Sequence, residues 1–109
     1  MATIKLVRND TAPQLRFTIT DSLTGDPIDL TGATVTLHFR AADSTTLLFS
    51  RAAVVLSPPT NGIAALAWAP GDLNLAAGEY VGEVETVLST GQRETIFDVL
   101  QFELREDFA

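Results

Sequence analysis

The chain has 109 residues, 46% of them hydrophobic and 19% charged, a balance that fits one globular domain spanning residues 1–109 and argues against intrinsic disorder. It has no cysteine, which excludes disulfides and thiolate metal sites, and one histidine and one lysine, which leave little for acid–base or nucleophilic chemistry. The net charge of −7 lies in the second half: residues 1–54 balance five basic against five acidic groups, while residues 55–109 set Arg93 and Arg105 against nine acids, so no nucleic-acid partner is expected.

The opening "MATIKLVRND" lacks the apolar segment of a secretory signal, and the expectation is a chain made in the cytoplasm. No apolar run approaches the roughly 20 residues of a membrane helix, so no membrane partner is expected. A first strand is predicted over residues 3–8. "NDT" at Asn9 matches the glycosylation triplet, a pattern too short to carry weight alone.

Leu15, Phe17 and Ile19 then alternate with Arg16, Thr18 and Thr20, giving a strand with one dry and one wet face. A turn cluster at residues 21–26 leads into "GDPIDLTGATVTLHFR". Pro27 fixes φ and lacks a donor, which suits an edge or corner; Ile28 and Leu30 share a phase while Asp29 stays wet. Thr31 and Gly32 bend the backbone before Val35, Leu37 and Phe39 resume the buried phase. The stretch predicts an architectural corner.

Further strands are predicted at 46–50, 52–57, 62–68, 79–88 and 94–105, with turns at 57–62, 70–78 and 89–92. "PGDLNLAAG" has room for one helical turn capped by Asp72 and ended by Gly78. No longer stretch keeps a helical period. About eight strands with turns at this density predict two sheets packed face to face.

Candidate chemistry is sparse. His38 lies on the polar phase between Leu37 and Phe39, so it is expected to be exposed, and nothing in the spacing supplies a triad. Asp10, Asp21, Asp26 and Asp29 offer oxygen ligands, but without calcium-loop spacing they predict Asx turns. Glu83 and Glu85 share a solvated strand face, and no cleft is predicted around them. No phosphate-binding glycine motif occurs. Trp68 is assigned to the core. In "AAGEY", Tyr80 begins a long strand as a tyrosine corner does, with Ala76 four residues before it and Gly82 two residues after it.

Taken in order, "QLRFTITDSLTGDPIDLTGATVTLHFR", "NGIAALAWAPGD", "AAGEY" and "VGEVETVLSTGQRETIF" resemble the immunoglobulin-like domains of tailed-bacteriophage virion proteins, in particular the N-terminal domain of baseplate upper proteins. The resemblance spans residues from about 13 to 104; it departs where such domains carry a proline after the last hairpin's Phe and this chain has Asp98. It implies an all-β, immunoglobulin-like β-sandwich of about seven to eight antiparallel strands. It also implies a non-enzymatic structural component of a virion, in the tail or baseplate, assembling with other virion proteins or with copies of itself. The alternatives are a carbohydrate-binding or adhesin module, in which Trp68 would matter, and a small hydrolase using Glu83 or Glu85. No catalytic residue, cofactor, metal or small-molecule substrate is expected, and the expected partner surface is Val81, Glu83, Glu85 and Val87.

Overall fold

The computed structural model describes residues 3–11, 14–21, 23–95 and 100–106. Eight strands follow one another: β1 (Thr3–Val7), β2 (Leu15–Thr18), β3 (Thr34–Ala41), β4 (Leu47–Val55), β5 (Ile63–Leu66), β6 (Gly78–Val87), β7 (Arg93–Thr95) and β8 (Leu100–Arg105). A 3-10 turn at Pro59–Asn61 separates β4 from β5.

The strands pair in the order β1-β8-β6-β3-β4-β5-β2, with β7 also on β6. β4 is the strand that turns the sheet over. Its residues up to Ala53 pair with β3, and Val54 and Val55 pair with β5, so the path folds back with β5 and β2 facing the larger layer. This is the expected all-β, sandwich-like architecture, with one difference. β1 runs parallel to β8, from Thr3 opposite Gln101 to Val7 opposite Arg105, so the sheet is mixed.

Period-two alternation decides what enters the core. Val35, Leu37 and Phe39 on β3, Val84 on β6, and Phe102 and Leu104 on β8 point inward to meet Leu15 and Leu66 from the opposing layer. Phe39 is central: it stacks on Phe49 at 5.0 Å and on Tyr80 at 5.3 Å, and meets the edge of Trp68 at 5.6 Å. Trp68 is 3% exposed, the core plug expected of it. Truncating either of these two side chains to Ala is expected to remove about 3–5 kcal/mol. Gly82 faces inward opposite Phe39; a Cβ there would lie 2.8 Å from Leu37 Cδ1 and 2.9 Å from Phe102 Cε2. Its lack of a side chain is what admits the Phe102 ring.

Corners keep the layers in register. Leu30 is buried, Ile28 is half-buried and Asp29 is exposed, as the "PIDL" phase requires. Backbone bonds from Ile28 N to Ile19 O (2.9 Å) and from Leu30 N to Pro59 O (3.0 Å) tie this corner to two other segments. Gly62 lies where they converge: its φ is +69° and a Cβ would fall 2.7 Å from Ile19 O, so only glycine fits. At the other end Tyr80 Oη donates a 2.5 Å bond to the carbonyl of Ala76, completing the tyrosine corner with a backbone acceptor.

Two local expectations are corrected. The strands predicted at 46–50 and 52–57 are one strand, β4, because Arg51 lies on its inner phase and meets Asp72 instead of breaking the pattern. The helical turn in "PGDLNLAAG" is absent: Asp72 N bonds Ala69 O and Asn74 N bonds Gly71 O, two tight turns, while the Asp72 carboxylate accepts from Ala69 N and Arg51. The strand predicted at 94–105 is described at its two ends, β7 and β8, both antiparallel to β6, and residues 96–99 between them lie outside the described residues. Asp98 lies outside the described residues, as do "DFA" at the C-terminus and Met1.

Candidate functional site

The outward face of the larger layer carries the chain's polar chemistry. Cross-strand register places Val81 opposite Arg40, Glu83 opposite His38, Glu85 opposite Thr36 and Val87 opposite Thr34, so the four residues expected to form a partner surface share this face. Glu83 is exposed, and Val81, Glu85 and Val87 are half-buried among their cross-strand neighbours.

A polar row crosses four strands. His38 Nδ1 lies 2.7 Å from Ser50 Oγ, on β4 directly opposite, and Nε2 lies 3.4 Å from Glu85 Oε1 on β6. Arg93 Nε on β7 lies 3.4 Å from Glu85 Oε2. His38 was expected to be exposed; its side chain is only 22% exposed, because Ser50 and Glu85 close over it on either side. Nothing in the sequence signals this pairing, since the β3–β4 register is set by the intervening turn and by a bulge between Phe39 and Arg40.

Ser, His and carboxylate in a row suggest acyl transfer, but such chemistry also needs donors aimed at an oxyanion. The three residues sit on neighbouring ladder strands, where backbone N–H groups lie in the sheet plane and are spent on pairing. Arg40, the nearest cation on β3, turns its Nη1 to the carbonyls of Ala41 and Ser44. The row therefore braces the sheet.

Two hollows flank Val81. One, of about 110 Å³, is lined by His38, Arg40, Thr45, Leu47, Val81 and Glu83, with Gly82 at its base. The other, of about 160 Å³, has Ala42 and Val81 as its apolar side chains, with Glu79 and Glu103 among its polar residues, and borders Tyr80 and Phe102, whose rings lie in the core. Glu79 and Glu103 are directly opposite each other in the β6–β8 register, a like-charge arrangement that opposes pairing. Neither has an ion-pair partner among the described residues, although Lys5 on β1 stands opposite Glu103.

The loop carboxylates behave as the Asx expectation requires. Asp21 Oδ1 accepts from Leu23 N at 2.8 Å and Thr24 N at 3.2 Å. Asp29 Oδ1 accepts from Thr31 Oγ1 at 2.6 Å and Thr31 N at 3.0 Å, and these two bonds hold its carboxyl below the usual carboxylate value. Burial, with a smaller repulsion from Asp43, raises the Tyr80 hydroxyl above its ordinary 10.0. Among the described residues no group of three His, Cys, Asp or Glu side chains is placed to hold a metal ion, and no helix is long and apolar enough to cross a membrane.

No protein-family model matches the chain, and a search of curated proteins finds no match. Among solved structures the chain is similar to CopC from Methylosinus trichosporium OB3b, with 12% identity and a TM-score of 0.58, over 100% of this chain and 89% of that one. The expectation of a phage tail or baseplate component is corrected by this finding. The matched structure is CopC and not a virion protein, and nothing supports the glycan-binding alternative either. The segments "IDLTGATV" and "AAGEY" that carried the resemblance are corner devices, which report how a sandwich turns and not what it binds. At this identity the likeness establishes a shared β-sandwich-like fold.

Proposed function

We propose that the chain is a non-catalytic β-sandwich module that docks a partner protein on the outward face of its larger layer, with Val81, Glu83, Glu85 and Val87 at the centre of contact. The observation that carries this is the position of Val81, half-buried on an uncovered sheet face between two hollows. A copper site does not fit. The chain has one histidine and no cysteine, and both ring nitrogens of His38 already face partners in Ser50 and Glu85. Among the described residues, catalysis lacks an oxyanion donor beside the Ser50, His38 and Glu85 row.

The test compares wild type with Val81→Arg/Val87→Arg and with Arg16→Glu, a change on the outward side of the smaller layer. Each protein is used for quantitative capture followed by cross-link mapping. A protein held by wild type and by the Arg16 variant, cross-linked next to β6 and lost from the double variant, is the expected result. Equal capture by all three, or no specific capture by wild type, would sink the proposal.

A further inference from the structure

We infer that the occupant of this face is a basic, extended polypeptide segment that lays one Lys or Arg side chain into the hollow between Glu79 and Glu103. The inference rests on the docking role proposed above and adds the chemistry of the partner. Its first support is charge. Glu79, Glu83 and Glu103 are exposed around Val81 with no ion pair among the described residues, in a chain of net charge −7. Of the basic groups on the same face, Arg40 is turned to loop carbonyls, Arg93 faces Glu85, Arg105 donates to the carbonyl of Glu106, and Lys5 forms no ion pair among the described residues.

The second support is shape. The hollow has Ala42 and Val81 to receive the apolar stem of a long basic side chain and two carboxylates to receive its head. Glu79 and Glu103 repel each other while the face is free, and a cation placed between them turns that repulsion into attraction. The same charge argues against a second copy of this chain as occupant, since two such faces would bring carboxylates together. Residues two apart in an extended segment face the same way, so an apolar residue two positions from the basic one seats beside Leu47 and Val81 in the neighbouring hollow.

The probe is a short capped peptide with lysine and valine two residues apart, separated by serines, with glutamine in place of lysine in its neutral counterpart. It is titrated into the full chain and followed by calorimetry and by backbone amide shifts. Binding of the lysine peptide, with shifts centred on Glu79, Val81, Glu83, Gln101 and Glu103, is expected, and the glutamine peptide should not bind. Glu79→Gln/Glu103→Gln should weaken binding about fivefold to tenfold. Asp10→Asn/Asp26→Asn, which changes net charge equally, should leave affinity within about twofold. Lys5→Gln removes the competing cation and should tighten binding, an independent arm if the double glutamine variant folds poorly. Equal weakening by both double variants, shifts scattered over the surface, or no binding would overturn the inference. A captured partner that is lost with Val81→Arg/Val87→Arg but unaffected by Glu79→Gln/Glu103→Gln would overturn the basic-segment inference and leave the docking proposal standing.

Discussion

Arg51 and Asp72 form a two-pronged ion pair across the end of the sandwich, with Arg51 Nε 3.0 Å from Asp72 Oδ2 and Nη2 2.5 Å from Oδ1. The carboxylate is 8% exposed and also accepts a 2.8 Å bond from Ala69 N, while the guanidinium lies 5.7 Å from the centre of the Phe49 ring. One pair thus anchors the loop after β5 to the middle of β4. Removing the carboxylate strands a loop N–H and leaves the guanidinium without its counter-charge. Asp72→Ala is expected to lower stability by about 2–3 kcal/mol in urea unfolding. Arg51→Met should also destabilise, and the double variant should lose less than the sum of the two, since the residues act as a unit. Strict additivity would show that the pair is not coupled.

Tyr80 offers a test at high pH. Its folded-state pKa is raised, so the stability linked to its protonated hydroxyl is fully present below the ordinary 10.0 and is lost as pH rises through the higher folded value. Unfolding free energy should therefore fall above pH 10 in wild type, and the Tyr80 contribution to that slope should vanish in Tyr80→Phe. At neutral pH the same variant loses the bond to Ala76 O, about 1 kcal/mol. A wild-type alkaline slope retained in the variant would place its source elsewhere.

Asp29 works in the opposite direction. Its folded pKa is lowered by Thr31, so this contribution is present above the ordinary 3.8 and is lost as pH falls through the lower folded value. Thr31→Ala removes the 2.6 Å hydroxyl bond and leaves the backbone one. Carboxyl carbon NMR titration should show the Asp29 midpoint moving up toward 3.8.

Gly82→Ala should lower stability by about 1–3 kcal/mol, because the new methyl meets Leu37 and Phe102 inside contact distance. Phe102→Leu in the same chain opens space at that point and should recover part of the loss. Thermal melts of the two single variants and the double variant measure this. No recovery in the double variant would mean that Leu37 or the backbone, and not the Phe102 ring, sets the limit.

Much of this architecture was legible residue by residue. The alternation of Val35, Leu37 and Phe39, the corner at Ile28 and Leu30, the buried Trp68 and the anchor at Tyr80 all follow from side-chain phase and turn chemistry, which act over a few neighbouring residues. Arg51 misled for the same reason. A charge at the centre of a strand is tolerated on its inner phase only when a partner 21 residues away is brought to it, and no local pattern announces that partner. The short segments that suggested a virion protein were read correctly as corners and misread as function, since unrelated sandwiches need corners of the same kind.

By itself, the order of apolar and polar residues determined that this chain makes strands, which side of each faces inward, and that chemistry requiring thiols or several imidazoles is closed to it. Tertiary structure alone decided that β1 pairs parallel with β8, that Ser50 and Glu85 close around His38, and that Glu79 faces Glu103 beside an open hollow. The reason is physical. Phase is fixed by the two-residue period within one strand, whereas register and neighbour choice depend on turns, a bulge and the closing of a core between segments far apart in the chain.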